Sequence, residues 1–88
     1  MKLTNDYYAD LCIFKDAIDT LVERCAWGFV SENELYLKMY DLYYASSVIC
    51  ADATGAVIVE YSNNYDWDKI EIIARAMNRI NINEKAMP

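Results

Sequence analysis

Tyr7, Leu11, Phe14, Ile18, Leu21 and Cys25 stand 4, 3, 4, 3 and 4 residues apart. Apolar residues at that spacing line one side of an α-helix and alternate irregularly between the faces of a strand. The row therefore predicts a first helix over about 5–27, capped by Thr4 or Asn5. Gly28 follows where a helix end takes a left-handed residue. A second row, Leu35, Met39, Leu42, Ser46, Ile49 and Ala53, repeats the spacing. It starts at a capping box, Ser31 with Glu34 three residues on, and at a hydrophobic staple of Val30 with Leu35. That predicts a second helix over about 32–54, closed or bent at Thr54 and Gly55. The short link between the two rows makes them an N-terminal antiparallel hairpin.

The remaining chain is less uniform. Val57-Ile58-Val59 has strand composition, but no second strand is evident to pair with it. The stretch 56–61 thus reads as helix or packed connector, with pairing to another copy as the other option. Ser62-Asn63-Asn64 is the one polar turn cluster. Asn63, Asn64 or Asp66 then caps a third helix over about 65–80. Its apolar stripe is Ile70, Ile73, Met77 and Ile80, with Asp66 and Asp68 at its start and Arg75 and Arg79 towards its end. Residues 81–88 read as a frayed polar tail. The expected fold is all-α: one domain, a compact three-helix bundle, or four-helix if 56–61 folds separately.

Composition limits what such a bundle can do. The chain has 88 residues, room for one small domain. It is 56% apolar, too much for a disordered segment. Its net charge of −6 opposes direct binding to nucleic acid or an anionic membrane. No apolar run approaches the ~20 residues of a membrane span. The opening Met1-Lys2-Leu3-Thr4-Asn5-Asp6 turns acidic at once, unlike a secretory leader. Cys12, Cys25 and Cys50 have no metal-ligand or redox spacing, and read as reduced, buried thiols in a cytoplasmic protein. Histidine is absent, so no Ser–His or Cys–His pair can form. Nucleotide-binding loops and metal motifs are absent as well. The expectation is a protein that is not an enzyme and carries no cofactor or metal.

Two features suggest binding. Asp16, Asp19 and Glu23 lie 3 and 4 apart on the side of the first helix away from its apolar row, with Asp6 and Asp10 on a flank. Neighbours at that spacing have Cβ atoms ~5–6 Å apart, a candidate ridge of phosphate-like charge. Roughly 30 Å of B-DNA carries about 18 charges, so this chain imitates a few phosphates and not a duplex. The plain reading is a solvated face. Tyr36, Tyr40, Tyr43 and Tyr44 crowd the second helix. Tyrosine is rigid, amphipathic and frequent at interface hot spots, though a central helix wrapped on two sides would hold the same residues. Tyr43 is expected buried, and Tyr40 and Tyr44 exposed. Trp67 is expected in the core; if exposed, it forms an acidic-aromatic rim with Tyr65, Asp66 and Asp68. Lys15, Lys38 and Lys69 read as isolated surface charges. The expected partner-binding residues are Asp16, Asp19, Glu23, Tyr36, Tyr40, Tyr44, Asp66 and Asp68.

An acidic, tyrosine-rich surface complements a basic one, and most basic protein surfaces handle nucleic acid. The leading expectation is a small cytoplasmic inhibitor that docks on a nucleic-acid-binding effector. In size, acidity and lack of catalytic residues the chain resembles phage-encoded counter-defence proteins such as anti-CRISPRs. The stretch from Gly28 to Leu35 distantly resembles helical bacteriocin immunity proteins, which implies the alternative of an immunity protein or antitoxin against a nuclease. A third option is a self-associating scaffold, a homodimer for instance, with the apolar rows and the Val57-Ile58-Val59 run as its interface.

Overall fold

A computed structural model describes residues 3–86, leaving Met1, Lys2, Met87 and Pro88 outside. Among the described residues the chain is an all-α bundle of four helices: α1 (Tyr7–Ala26), α2 (Glu32–Ala45), α3 (Ser47–Asn63) and α4 (Trp67–Ala86). The stretch 56–61 is helical and belongs to α3, with Gly55 inside that helix. The expected frayed tail is helical from 81 to 86; its last two residues lie outside the description, as does the start of the expected non-leader segment.

The expected helix over 32–54 breaks at Ser46. The break has a packing reason. One straight helix over 32–63 would be about 48 Å long at ~1.5 Å per residue, against a longest molecular extent of 32 Å. Ser46 makes the break inexpensive. Its backbone is extended (φ −160°, ψ 107°), its N–H donates to the Leu42 carbonyl to end α2, and its hydroxyl accepts from Ile49 N–H to start α3. Serine favours this capping role over a helix interior.

Asp6, not Thr4 or Asn5, caps α1; its carboxylate accepts from the Tyr8 and Ala9 amides. Thr4 folds back instead, and its N–H and hydroxyl donate to buried Asp10 at 2.9 and 2.8 Å. The buried row of α1 is Asp10, Phe14, Ile18 and Val22, spaced in fours. Leu11, Leu21 and Cys25 only flank it, and Tyr7 is exposed. A row of fours is the ridge that packs at an angle to a neighbour, in contrast to a coiled-coil seam. That neighbour is mainly α3, whose inner face is Cys50, Ala53, Thr54, Val57 and Tyr61. Links from Tyr7 to Asp52, Lys15 to Glu60 and Asp19 to Tyr61 show that α1 and α3 run parallel. Their C-terminal ends share one end of the bundle. Helix α4 starts there, with Lys69 against Glu23, and then reaches α2 through Arg75 to Glu32 and Arg79 to Asn33.

Candidate protein-binding surface

Both helices that finish at this end stop in the same way. At the end of α1, Gly28 N–H donates to Cys25 O (3.1 Å) and Phe29 N–H to Arg24 O (2.8 Å). At the end of α3, Tyr65 N–H donates to Ser62 O (3.1 Å) and Asp66 N–H to Tyr61 O (2.8 Å). Each pair of bonds is a Schellman motif, which needs a left-handed residue at its turn. Gly28 supplies it in the first (φ +85°) and Tyr65, unusually, in the second (φ +58°). A non-glycine side chain in that conformation costs roughly 1–2 kcal/mol.

These turns hold aromatic side chains in the open. Trp27 is 75% exposed, Phe29 71%, Tyr65 78% and Trp67 58%. Both tryptophans of the chain therefore face outward at one end. Trp27 and Phe29, with Glu23 and Arg24, line an open cleft of about 270 Å³. The Arg24 guanidinium carbon lies 6.0 Å from the Phe29 ring centroid. Tyr65 and Trp67 meet edge to face, centroids 6.4 Å apart, and with Asp66 and Asp68 line a notch of about 180 Å³. Lys69 ties the two turns together: its Nζ is 3.4 Å from Glu23, 3.8 Å from Asp66, and 5.3 Å from the Tyr61 ring centroid. Beneath it, the Tyr61 hydroxyl donates to the Asp19 carboxylate. Burial first, and then that carboxylate, push the Tyr61 hydroxyl far above its ordinary pKa.

The expected binding residues separate on this framework. Asp66 and Asp68 sit at the aromatic notch. Tyr44 is exposed as expected, on α2. Asp16 is exposed and forms no ion pair among the described residues. Asp19 is half-buried under Tyr61, and Glu23 is exposed but paired with Lys69, so the α1 row faces its neighbours and is not a free ridge. Tyr36 is a core residue with the Arg79 guanidinium stacked 4.0 Å over its ring. Tyr40, expected exposed, and Tyr43, expected buried, are both half-buried at the core margin. Trp67, expected in the core, is exposed; α4 turns Ile70, Ile73 and Ile80 inward and leaves its first residue outside. Lys15 and Lys69, expected isolated, are half-buried and paired. All three thiols are free, but only Cys50 is buried; Cys25 is half-buried and Cys12 exposed. Burial raises the Cys25 and Cys50 pKa values.

Trp27 and Phe29 are not part of the expected surface, and Tyr65 belongs to it only through the rim expected if Trp67 is exposed, which it is. For Trp27 and Phe29 a signal exists: residues flanking a glycine helix stop lie outside the periodic face. For the left-handed backbone of Tyr65 there is none, because that conformation of a tyrosine has no local sequence signature.

Among the described residues no group of side chains is arranged to hold a metal ion, no buried side-chain nitrogen or oxygen lacks a hydrogen bond, and no helix is long and apolar enough to cross a membrane. Compared with family models, curated proteins and solved structures, the chain matches none.

Proposed function

We propose that this chain is a small acidic inhibitor, without catalysis of its own, that docks on a basic, nucleic-acid-handling protein. The observation that carries the reading is the bundle end where Trp27, Phe29, Tyr65 and Trp67 stand exposed among Glu23, Asp66 and Asp68. Tryptophan and tyrosine lead the residues whose truncation costs most at interfaces. Backbone caps already fix these turns, so little freedom is lost on docking. The interleaved carboxylates favour a basic partner and speed its encounter. The same charges repel nucleic acid itself. Free thiols suit a reducing compartment, so the proposed place of action is the cytoplasm. A phage counter-defence protein of the anti-CRISPR kind and an immunity protein against a nuclease both answer to this description. Self-association through Val57-Ile58-Val59 has less support, since Val57 is enclosed in the chain's own core.

The test is affinity capture from host extract with the wild-type chain beside a folded Trp27→Ala, Trp67→Ala variant. The expected result is a protein retained by wild type alone, basic at its surface, whose nucleic-acid activity falls when the chain is added. Identical captures by both chains, or a retained protein whose activity is untouched, would overturn the proposal.

A further inference from the structure

Resting on that docking reading, we infer that the notch between Tyr65 and Trp67, walled by Asp66 and Asp68, receives a cationic side chain of the partner, a guanidinium or an ammonium. The two rings stand at 70° to each other with centroids 6.4 Å apart, so together they form a corner. A cation within about 6 Å of such ring faces is attracted by their quadrupoles, most strongly by tryptophan. The notch, about 180 Å³, has the scale of a side-chain head group. Its two carboxylates supply the acceptors that a guanidinium or ammonium needs.

Charge favours the same occupant. Asp66, Asp68 and Glu23 are opposed here by Lys69 and by the roughly half positive charge at the start of α4. The balance stays negative. The neighbouring Trp27–Phe29 cleft differs, because Arg24 already supplies a cation beside the Phe29 ring. The chain pairs rings with cations elsewhere too, Lys69 over Tyr61 and Arg79 over Tyr36. Of the two turns, the Tyr65–Trp67 notch is the one whose rings have no cation of the chain's own over them among the described residues. A tyrosine stands where glycine would relieve the backbone, which fits a ring required for contact.

The test titrates the full chain with acetyl-Gly-Arg-Gly-amide, its lysine counterpart, and the neutral isostere carrying citrulline in place of arginine. Two-dimensional NMR follows the Trp67 and Trp27 indole N–H signals and the amides of residues 65–68. The expected result is shifts centred on Trp67 and 65–68, with arginine or lysine binding about three- to fivefold more tightly than citrulline. The preference should vanish in Trp67→Leu, Asp68→Asn, and separately in Tyr65→Gly, each with its spectral dispersion intact. Equal affinity for arginine, lysine and citrulline, or shifts centred on Trp27, would overturn the inference. The two readings fail separately. If the notch shows no cation preference while Trp27→Ala, Trp67→Ala still releases the captured protein, only the cation site falls. If the notch prefers cations while capture is indifferent to that variant, the docking reading falls.

Discussion

Tyr65 offers a test in which the sign of an effect, more than its size, decides. In a right-handed position alanine is more stable than glycine, by about 0.8–1 kcal/mol inside a helix. In the left-handed turn that ends α3 (φ +58°), the order should invert. A Cβ there costs roughly 1–2 kcal/mol. Glycine removes that cost and gives back about 0.4–1 kcal/mol through the freer unfolded chain. Taking the middle of both ranges, Tyr65→Gly should therefore exceed Tyr65→Ala by roughly 0.5–1 kcal/mol. Both variants lose the edge-to-face contact with Trp67, so that contact cancels between them. For a domain of this size the gap is about 2–8 °C in melting temperature. Gly55 is the internal control. It lies within α3 on the exposed side, with nothing within 4 Å of where a Cβ would stand. Gly55→Ala should raise stability by about 0.8–1 kcal/mol. Thermal and urea melts of the three variants and wild type complete the experiment. If alanine equals or exceeds glycine at position 65, the second Schellman turn is not as described, and the reasoning that rests on it fails. Tyr65→Gly should then also weaken docking while leaving the fold intact, a separation that damage to the core cannot produce.

Three further outcomes are expected. Ser46→Ala removes the shared cap and should lower stability by about 1 kcal/mol; an unchanged melt with added helix signal would mean that α2 and α3 have fused. Tyr61→Phe keeps the ring and loses the bond to Asp19, at about 1 kcal/mol given the half-exposed acceptor. Because the native hydroxyl is held neutral above its ordinary pKa, its contribution is fully present below about pH 10 and is lost as pH rises beyond. Tyr61→Phe should therefore flatten the alkaline loss of stability, read from melts between pH 8 and 11. Maleimide labelling of the native chain should modify exposed Cys12 first and buried Cys50 only on unfolding; early labelling of Cys50 would contradict the packing of α3 on α1.

What could be read from the sequence was local. The capping serine of α2, the glycine stop of α1 and the stripe Leu35, Met39, Leu42 act within a turn or two, and they recur in the fold. What could not be read was set by the whole molecule. Ser46 sits at a seam position that periodicity carries straight through; the limit on length that breaks the helix there is a property of the bundle. The core of α1 is rotated from the expected row: its buried residues recur every four positions, and Val22 enters where Leu21 is expected. Trp67, expected in the core with an exposed rim as the other option, is the first residue of α4. Its register within α4 places it outside.

The acidity of the chain divides into two kinds. Much of it is internal in effect. Asp6 caps a helix, Asp10 holds Thr4, Asp19 takes the Tyr61 hydroxyl, Asp52 takes Tyr7, Glu23, Glu32 and Glu60 hold lysines or arginines of neighbouring helices, and Glu71 pairs with Arg75 one turn along α4. A partner competing for Asp19, Asp52, Glu23, Glu32 or Glu60 would have to displace a helix-to-helix link. Asp19, half-buried under Tyr61, therefore makes a poor docking residue despite its spacing, and reversing the charge of Asp19 or Glu23 would confuse lost binding with lost packing. Asp68 is different: it lies at the rim of the aromatic notch, exposed, with no ion pair among the described residues. Exposed ion pairs contribute little affinity in water, with a median below about 1 kcal/mol. The carboxylates at this end would then set partner choice and encounter rate, while the four open rings account for the lifetime of the complex. Position in the bundle, more than net charge, decides which acids are available to a partner.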